Sequence, residues 1–474
     1  MSDTLLASTQ TSAPAVRFED FGLSPDILRA LADQGYVHPT PIQAEAIPIV
    51  LQGRDVMGAA QTGTGKTAGF SLPIIQLLLT HASASASPAR HPVRALILTP
   101  TRELADQVAD NVKAYSRHTP LRSTVVFGGV DMAPQTATLR SGVEIVIATP
   151  GRLLDHVQQK TVNLSQTQIL VMDEADRMLD MGFLPDLQRI INLLPKQRQN
   201  LMFSATFSPE IKKLANSFLK DPVTIEVARS NATADNVTQA LYKVEEDAKP
   251  DAVAHIIRER GLKQVIVFSN TKIGASRLSR HLEKEGIKAS AIHGDKTQGE
   301  RMQALEAFKQ GTVEVLVATD VAARGLDIAE LPCVINYDLP YNAEDYVHRI
   351  GRTGRAGASG DAISLYSDKD ARLLADIEKL IKHNIARLQL AGFVPSRSSD
   401  RRPRHEERDE RAPSSSRAAQ YGRGAYAPRK EKIDPWFLKP YEPEAPAPQR
   451  ENSSTPAKPQ KNKVAALLGG TPKR

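Results

Sequence analysis

Three carboxylates fall within four residues at Asp173, Glu174 and Asp176, directly after the apolar run Ile169-Leu-Val-Met172. The run is short and rich in branched residues, which reads as a strand buried on both faces of a parallel sheet. A core strand excludes charges, so the carboxylates belong just past its C-terminal end, where open α/β sheets place ligands. Carboxylates this close repel one another unless a cation lies among them, and Mg²⁺ takes oxygen ligands of this kind. A solvated acidic turn is the plainer reading of that run alone. A second stretch shifts the balance: Ala60-Gln61-Thr62-Gly63-Thr64-Gly65-Lys66-Thr67 lies between a strand-like segment and an apolar helix pattern. Strand, Gly-rich turn and helix in that order are what a phosphate loop requires. Gly63 and Gly65 let backbone N–H groups approach phosphate oxygens, and the helix N-terminus adds its dipole. Lys66 then neutralises the β and γ oxygens, and Thr67 ligates Mg²⁺.

Other strand-like runs deliver polar clusters in the same way. Residues 93–99 lead into Pro100-Thr101-Arg102, residues 124–127 into Gly128-Gly129, and residues 144–149 into Pro150-Gly151-Arg152 after Thr149. Each alone is a turn with a helix start. Together, hydroxyls, glycine N–H groups and arginines at three strand ends suit a sugar-phosphate track. Aromatic residues are not interleaved, which favours backbone contacts over base reading. Residues 200–203 end in Ser204-Ala-Thr206, whose hydroxyls are placed to bond Asp176 or simply to cap the strand.

A second alternation of strands and helices follows, with strands expected at 264–268, 289–292, 313–317, 334–337 and 362–366. Parallel pairing through helical crossovers is the natural arrangement. No second phosphate loop appears. Its strand ends carry instead Ser269-Asn-Thr271, His293-Gly294, Gln298-Gly-Glu-Arg301 and Ala318-Thr319-Asp320, followed by Arg324-Gly325-Leu-Asp327. His348-Arg-Ile-Gly-Arg352-Thr-Gly-Arg355 comes next; the spacing of three puts Arg352 and Arg355 on one side of a helical turn. Cations without a nucleotide loop of their own suit a domain that supplies arginines to its neighbour's nucleotide.

These pieces need room, and 474 residues exceed what one core supports, so two to three domains are expected. Ser24 reads as an N-cap with Pro25 at the first helical position and Gly35 as the stop. Residues 82–89, rich in Ala and Ser, read as a mobile surface loop, and 370–390 as an amphipathic helix. The single cysteine, Cys333, excludes an intramolecular disulfide and sits in an apolar run, as a buried structural thiol would. Neither a membrane-spanning run nor a signal-peptide core is present, and a cytoplasmic protein is expected. The formal charge of +7 is unevenly held. Residues 396–474 carry 18 Lys and Arg against 10 Asp and Glu, leaving the preceding residues with 43 against 44. Nucleic-acid binding by the folded part must therefore rest on local motifs.

Taken together, the motifs resemble those of the DEAD-box ATP-dependent RNA helicases over roughly residues 18–390, most nearly the bacterial RhlE type. That resemblance implies an α/β fold of two tandem RecA-like domains with parallel sheets, plus a disordered basic C-terminal tail. It divides the chain into a disordered N-terminus (1–16), an ATP-binding domain (17–229), a linker (230–236), a helicase C-terminal domain (237–395) and the tail (396–474). It also implies a Q motif, in which Gln43 reads the adenine edge and Phe18 stacks on the base. Ala60 stands where the general phosphate loop has Gly, as in the family's own version. Asp173 and Thr67 would hold Mg²⁺, Asp327 would contact the ribose, and Glu174 would orient and deprotonate the attacking water. Lys66, Arg352 and Arg355 would neutralise the γ-phosphoryl charge.

Pro100, Thr101, Arg102, Gly128, Gly129, Thr149, Pro150, Gly151, Arg152 and Thr319 would form the RNA track. Asp176, Ser204, Thr206 and His348 would couple it to the nucleotide. ATP and Mg²⁺ are the implied cofactors. RNA is the implied partner, through contacts largely independent of sequence, for a monomer whose tail engages RNA-processing or ribosome-assembly proteins. The expected activity is RNA-dependent ATP hydrolysis that drives local strand separation in RNA duplexes and RNA–protein complexes. A DNA-directed helicase would share the ATP site, and a non-catalytic RNA clamp would keep nucleotide binding without turnover. Intact Glu174, Arg352 and Arg355 count against the clamp. A GTP switch is disfavoured because Asn270-Thr-Lys272 continues with Ile273 rather than the guanine-reading pattern.

The charge distribution makes a prediction. Deleting residues 396–474 should raise the RNA concentration for half-maximal ATPase and leave kcat at saturating RNA within about twofold. If roughly four tail cations meet single-stranded phosphates, the log–log salt slope falls by about three. An unchanged RNA requirement and slope would make the tail merely solubilising.

Overall fold

Branched apolar runs pack as strands buried on both faces, and two sets of them build two sheets. The computed structural model describes residues 16–59, 64–226, 237–323, 326, 328, 331–354 and 359–394. The first sheet contains β1 (Val56–Ala59), β2 (Ala95–Leu98), β3 (Ser123–Val126), β4 (Ile145–Ala148), β5 (Ile169–Met172), β6 (Gln199–Ser204) and β7 (Val223–Glu226). Its strands are parallel in the order β3-β4-β2-β5-β6-β1-β7. Period-two alternation divides its core: Ile97, Val171 and Leu201 face one helical layer, and Leu96, Leu170 and Met202 face the other. At β1, a Cβ on Gly58 would lie 2.7 Å from the Phe203 ring, so only glycine lets β1 lie this close to β6.

The second sheet contains β8 (Val237–Lys243), β9 (Val265–Phe268), β10 (Ala289–Ile292), β11 (Val315–Ala318), β12 (Cys333–Asn336), β13 (Gly360–Tyr366) and β14 (Ala386–Leu388). These too are parallel, in the order β10-β11-β9-β12-β13-β8-β14. Val265 and Val267 face one layer, Ile266 and Phe268 the other. Each sheet is therefore the middle of a three-layer α/β unit of the RecA-like kind. In both, the polar clusters singled out above follow the C-terminal strand ends.

Several expectations change. The helix expected over 370–390 ends at Ile381. Lys382 takes a left-handed conformation (φ 60°), and the chain then pairs as β14 on the edge beside β8. The stretch 82–89, read as a mobile loop, is anchored: the Ser85 carbonyl accepts from His91 Nε2 at 2.7 Å and from the Arg122 guanidinium at 2.9 Å. His91 Nδ1 lies 2.5 Å from Glu144 Oε1, both side chains being fully buried. Strands β7, β8 and β14 were not anticipated, because none is a continuous apolar run. Cys333 is buried in β12, and burial pushes its thiol up to about 12, which makes it inert at neutral pH. Of the segments assigned to the N-terminus (1–16), the linker (230–236) and the tail (396–474), all but Val16 lie outside the described residues. Among the described residues, no helix is long and apolar enough to cross a membrane.

Candidate functional site

Lys66 opens the helix Lys66–Leu78 behind Gly65, the N-cap, whose φ of 89° is left-handed. Its side chain is 5% exposed, and its ammonium lies 3.9 Å from Asp173 Oδ1. Neither Nζ nor Oδ1 has a hydrogen-bond partner among the described residues. At an effective dielectric of about 20, Coulomb attraction across that gap is on the order of 4 kcal/mol. Dehydrating both ions costs several kcal/mol each, so the pair does not compensate its own burial. Burial pushes the Asp173 carboxyl up to about 6; Lys66 opposes this, while Glu174 and Asp176 reinforce it. An ammonium and a carboxylate held apart and unsatisfied suit a phosphate chain and a divalent cation between them. Both line a cavity of about 380 Å³ with Gln43, Thr67 and Glu174.

Glu174 takes a left-handed conformation (φ 55°, ψ 53°) at the start of the helix Ala175–Asp180. For a non-glycine residue this costs about 1–2 kcal/mol, a form of strain that clusters at functional sites. The bend sends Asp173 and Asp176 to different tasks. Asp176 Oδ2 accepts from the N–H groups of Ala205 and Thr206 at 3.0 and 3.2 Å and from the Thr206 hydroxyl at 3.3 Å. The end of β5 is thus tied to the end of β6. The Ser204 hydroxyl, expected on Asp176, instead donates to the Thr206 carbonyl at 2.7 Å, because its own turn brings that oxygen nearer.

The three clusters read as a track follow β2, β3 and β4, which are adjacent in the sheet. Thr101 caps the helix Arg102–Tyr115, accepting from Leu104 N at 3.3 Å, so the helix-start reading holds for its hydroxyl. A Cβ on Gly129 (φ 79°) would run into the Arg102 guanidinium, which explains the second glycine. Arg152 donates to the Val130 carbonyl at 3.1 Å, pinning the turn after Gly129 to the helix Pro150–Gln158. Thr149 and Pro150 are buried at that helix start, and Gly151 faces open space. Thr319, 7% exposed, holds the corresponding place after β11.

Side chains from the second sheet complete the site. Arg352, 4% exposed, donates to the Leu326 carbonyl at 2.9 Å. With His348 it lines a second cavity of about 340 Å³, whose other wall includes Glu174, Asp176 and Thr206. Glu174 therefore lines both cavities. Direct contacts join the two halves beside it. Glu103, 4% exposed, accepts from Gln298 Nε2 at 3.0 Å and pairs with Arg301 at 2.9 Å. Arg102 donates to Gln298 Oε1 at 3.3 Å, and Arg177 to the Val321 carbonyl at 3.2 Å. Sequence reading assigned no role to Glu103, Arg177, Gln298 or Arg301. The available signal was charge in the first turn of helices that follow strand ends, and for Gln298 and Arg301 a spacing of three.

The residues expected around the base are placed differently. Phe18 is 4% exposed and packs edge-on against Phe21 in the core, not as an open platform. Gln43 Oε1 accepts from Thr40 N at 2.9 Å, and Nε2 donates to the Gly65 carbonyl at 3.0 Å. The amide is thus a helix cap and a brace for Gly65, with one N–H and one lone pair left over among the described residues. Ala60, Gln61, Thr62, Gly63, Asp327 and Arg355 lie outside the described residues; Thr64 and Gly65 are described.

Two RecA-like sheets meeting at an unsatisfied lysine–aspartate pair, with arginine approaching from the second, define the class of two-domain helicase ATPases. Residues 40–214 match the DEAD/DEAH box helicase family, and residues 248–357 match the helicase conserved C-terminal domain. The chain is 43% identical over 368 residues to the DEAD-box ATP-dependent RNA helicase RhpA of Helicobacter pylori, covering 78% of this chain and 73% of that protein. Among solved structures, S. cerevisiae Dbp5 bound to RNA and ADP BeF3 matches with a TM-score of 0.70 and 32% identity, over 79% of this chain and 96% of that one. Mss116p bound to ssRNA and AMP-PNP matches with a TM-score of 0.71 and 29% identity, over 81% of each chain. The chain belongs to the DEAD-box ATP-dependent RNA helicases and is an ATP-hydrolysing RNA helicase.

One group near the nucleotide cavity has a signed pH consequence. Burial pushes the Asp106 carboxyl up to about 6, with Asp110 and Glu103 on the same helix adding repulsion. Lys66 and, from the second domain, Lys309 line the same cavity. A carboxyl raised from its ordinary value of 3.8 to about 6 carries only a small part of its charging penalty at pH 4 and the full penalty once the pH is well above 6. Asp106→Asn should therefore raise the Tm of the nucleotide-free protein at pH 7.5 and leave it nearly unchanged at pH 4. An equal shift at both pH values would remove charge burial as the cause.

Proposed function

We propose that Glu174 is the general base for ATP hydrolysis and that the two cavities it lines are the two sides of one reaction site. The single observation supporting this is its place between Lys66 and Thr67 on one side and His348 and Arg352 on the other. Its carboxylate takes a proton from the attacking water, and the strained turn at Glu174 places it at the edge of both cavities. Lys66, Arg352 and Arg355 offset charge on the phosphoryl oxygens during transfer. Asp173 and Thr67 are the residues that would hold Mg²⁺, which supplies charge neutralisation of the phosphate oxygens when bound. Gln43 uses its remaining N–H and lone pair on the adenine edge, with Phe18 supporting that face of the site from the core, and Asp327 contacts the ribose.

RNA lies along the strand ends at Pro100–Arg102, Gly128–Gly129 and Thr149–Arg152, and continues to Thr319 in the second domain. Only RNA bridging both domains holds them closed, so hydrolysis depends on it. Clamping and bending separates a duplex locally. Asp176, Ser204, Thr206 and His348 carry the nucleotide state to the RNA side. We assign residues 17–229 and 237–395 to the two domains, 230–236 to their linker, and 1–16 and 396–474 to flanking segments. The tail recruits RNA and RNA-processing or ribosome-assembly proteins to a cytoplasmic monomer.

Glu174→Gln should keep ATP and RNA binding while lowering RNA-stimulated kcat by at least about 10². Steady-state ATPase and equilibrium nucleotide binding measure the two separately. Wild-type turnover in this variant would remove Glu174 from the chemistry.

A further inference from the structure

The largest fully buried side chain in the second domain is an arginine outside the proposed ATP and RNA contacts. Arg349 is 1% exposed and sits in the helix Ala343–Ile350, directly after His348 and three residues before Arg352. Its guanidinium donates to both oxygens of Asp320, Nε to Oδ1 and Nη2 to Oδ2, each at 2.6 Å. Nη1 donates to the Asp338 carbonyl at 2.6 Å and, more weakly, to Asn336 Oδ1 at 3.3 Å. Nη2 also donates to Asn270 Oδ1 at 2.8 Å, and the guanidinium lies 5.1 Å from the centre of the Phe268 ring. One side chain thus ties the ends of β9, β11 and β12 to the helix leading to Arg352.

Asp320 gives this hub its direction. It follows Thr319, the proposed RNA contact of this domain, and opens the short helix Asp320–Ala323. The next residue, Val321, accepts the hydrogen bond from Arg177, which belongs to the helix directly after Glu174. The segment 319–321 therefore carries an RNA-facing hydroxyl, the carboxylate gripping Arg349, and a docking point for the first domain. A planar guanidinium held at both oxygens of one carboxylate transmits orientation as well as position, which a lysine ammonium does not.

We propose that the Arg349–Asp320 pair is a positioning relay: occupancy of the RNA track at Thr319 and docking of Arg177 at Val321 fix Asp320, which through Arg349 sets the helix presenting His348 and Arg352 to the nucleotide. Arg349 touches neither nucleotide nor RNA in this account. The inference rests on the proposed roles of Thr319 and Arg352 and adds the physical link between them.

The test is steady-state ATPase of the full chain with saturating RNA, each variant's Tm measured in parallel. Arg349→Lys keeps the charge and loses the paired geometry; kcat should fall at least about tenfold, with KM for ATP within about threefold and Tm within a few degrees. Asp320→Glu should show the same pattern. The double variant D320E/R349K lets the longer carboxylate reach the shorter cation, so kcat should recover at least about threefold over either single change. Such non-additivity marks a direct pair. A fall in Tm with unchanged kcat per folded molecule would make the pair structural only and overturn the relay. Equal or additive losses in the double variant would also overturn it. Glu174→Gln measured alongside separates the two claims: inactive Glu174→Gln beside normal Arg349→Lys sinks the relay alone, whereas active Glu174→Gln sinks the assignment of the general base.

Discussion

A buried ammonium and a buried carboxylate oxygen, 3.9 Å apart and neither hydrogen-bonded among the described residues, set the terms for the rest of this structure. Lys66 and Asp173 lie too far apart to hydrogen-bond each other, and both face the same cavity. A fold stabilised by a margin of about 5–15 kcal/mol carries such a pair only where the surrounding elements over-determine it. The close packing of β1 on β6 at Gly58, the Gly65 turn and the brace from Gln43 all fix Lys66. Asp173 is fixed by its place at the end of a strand buried on both faces. In the proposed reading the complement of this pair is a polyphosphate with its divalent cation, so that bound nucleotide would complete the local electrostatics.

In the proposed reaction the first domain alone offsets only part of the transition-state charge, and the remaining cations stand on the second. Two kinds of contact govern their arrival. Glu103 with Gln298 and Arg301, and Arg177 with the Val321 carbonyl, join the two domains beside the proposed RNA track. Inside the second domain, Arg349 ties the helix that carries His348 and leads to Arg352 to the ends of β9, β11 and β12. The exposed ion pairs elsewhere, such as Lys272 with Asp295, contribute at most about 1 kcal/mol each and decide little. The buried, multiply bonded charges are the ones that transmit geometry, because removing one partner leaves the other dehydrated and uncompensated.

Much of this was legible in the sequence where one physical rule acts alone. Strands β2, β4, β5, β6, β9, β11 and β12 are continuous apolar runs or nearly so, and their chemistry-bearing ends follow from that. Strands β7, β8 and β14 were missed because each lies toward a sheet edge or mixes polar with apolar positions, and tertiary pairing overrides such weak patterns. The helix expected through residue 390 stopped at Ile381 for the same reason: pairing with β8 outweighed the helical period. Residue types located Asp176 and Thr206 correctly as neighbours but sent the Ser204 hydroxyl to the wrong acceptor, since a turn's own carbonyl is invisible in a pattern of letters. Glu103 and Arg349 were invisible as anchors because burial of a charge depends on partners some thirty to two hundred residues away.

The claim on which the account turns is that a cation from the second domain is needed in the transition state but not for holding ATP. Single-turnover hydrolysis by the Arg352→Ala protein at saturating RNA, beside its equilibrium affinity for ATP, tests it most directly. The account predicts a rate lower by on the order of 10³, as for loss of an arginine finger, with ATP affinity within about threefold. A rate near that of the unaltered protein would show that the first domain completes the chemistry unaided and would contradict the account.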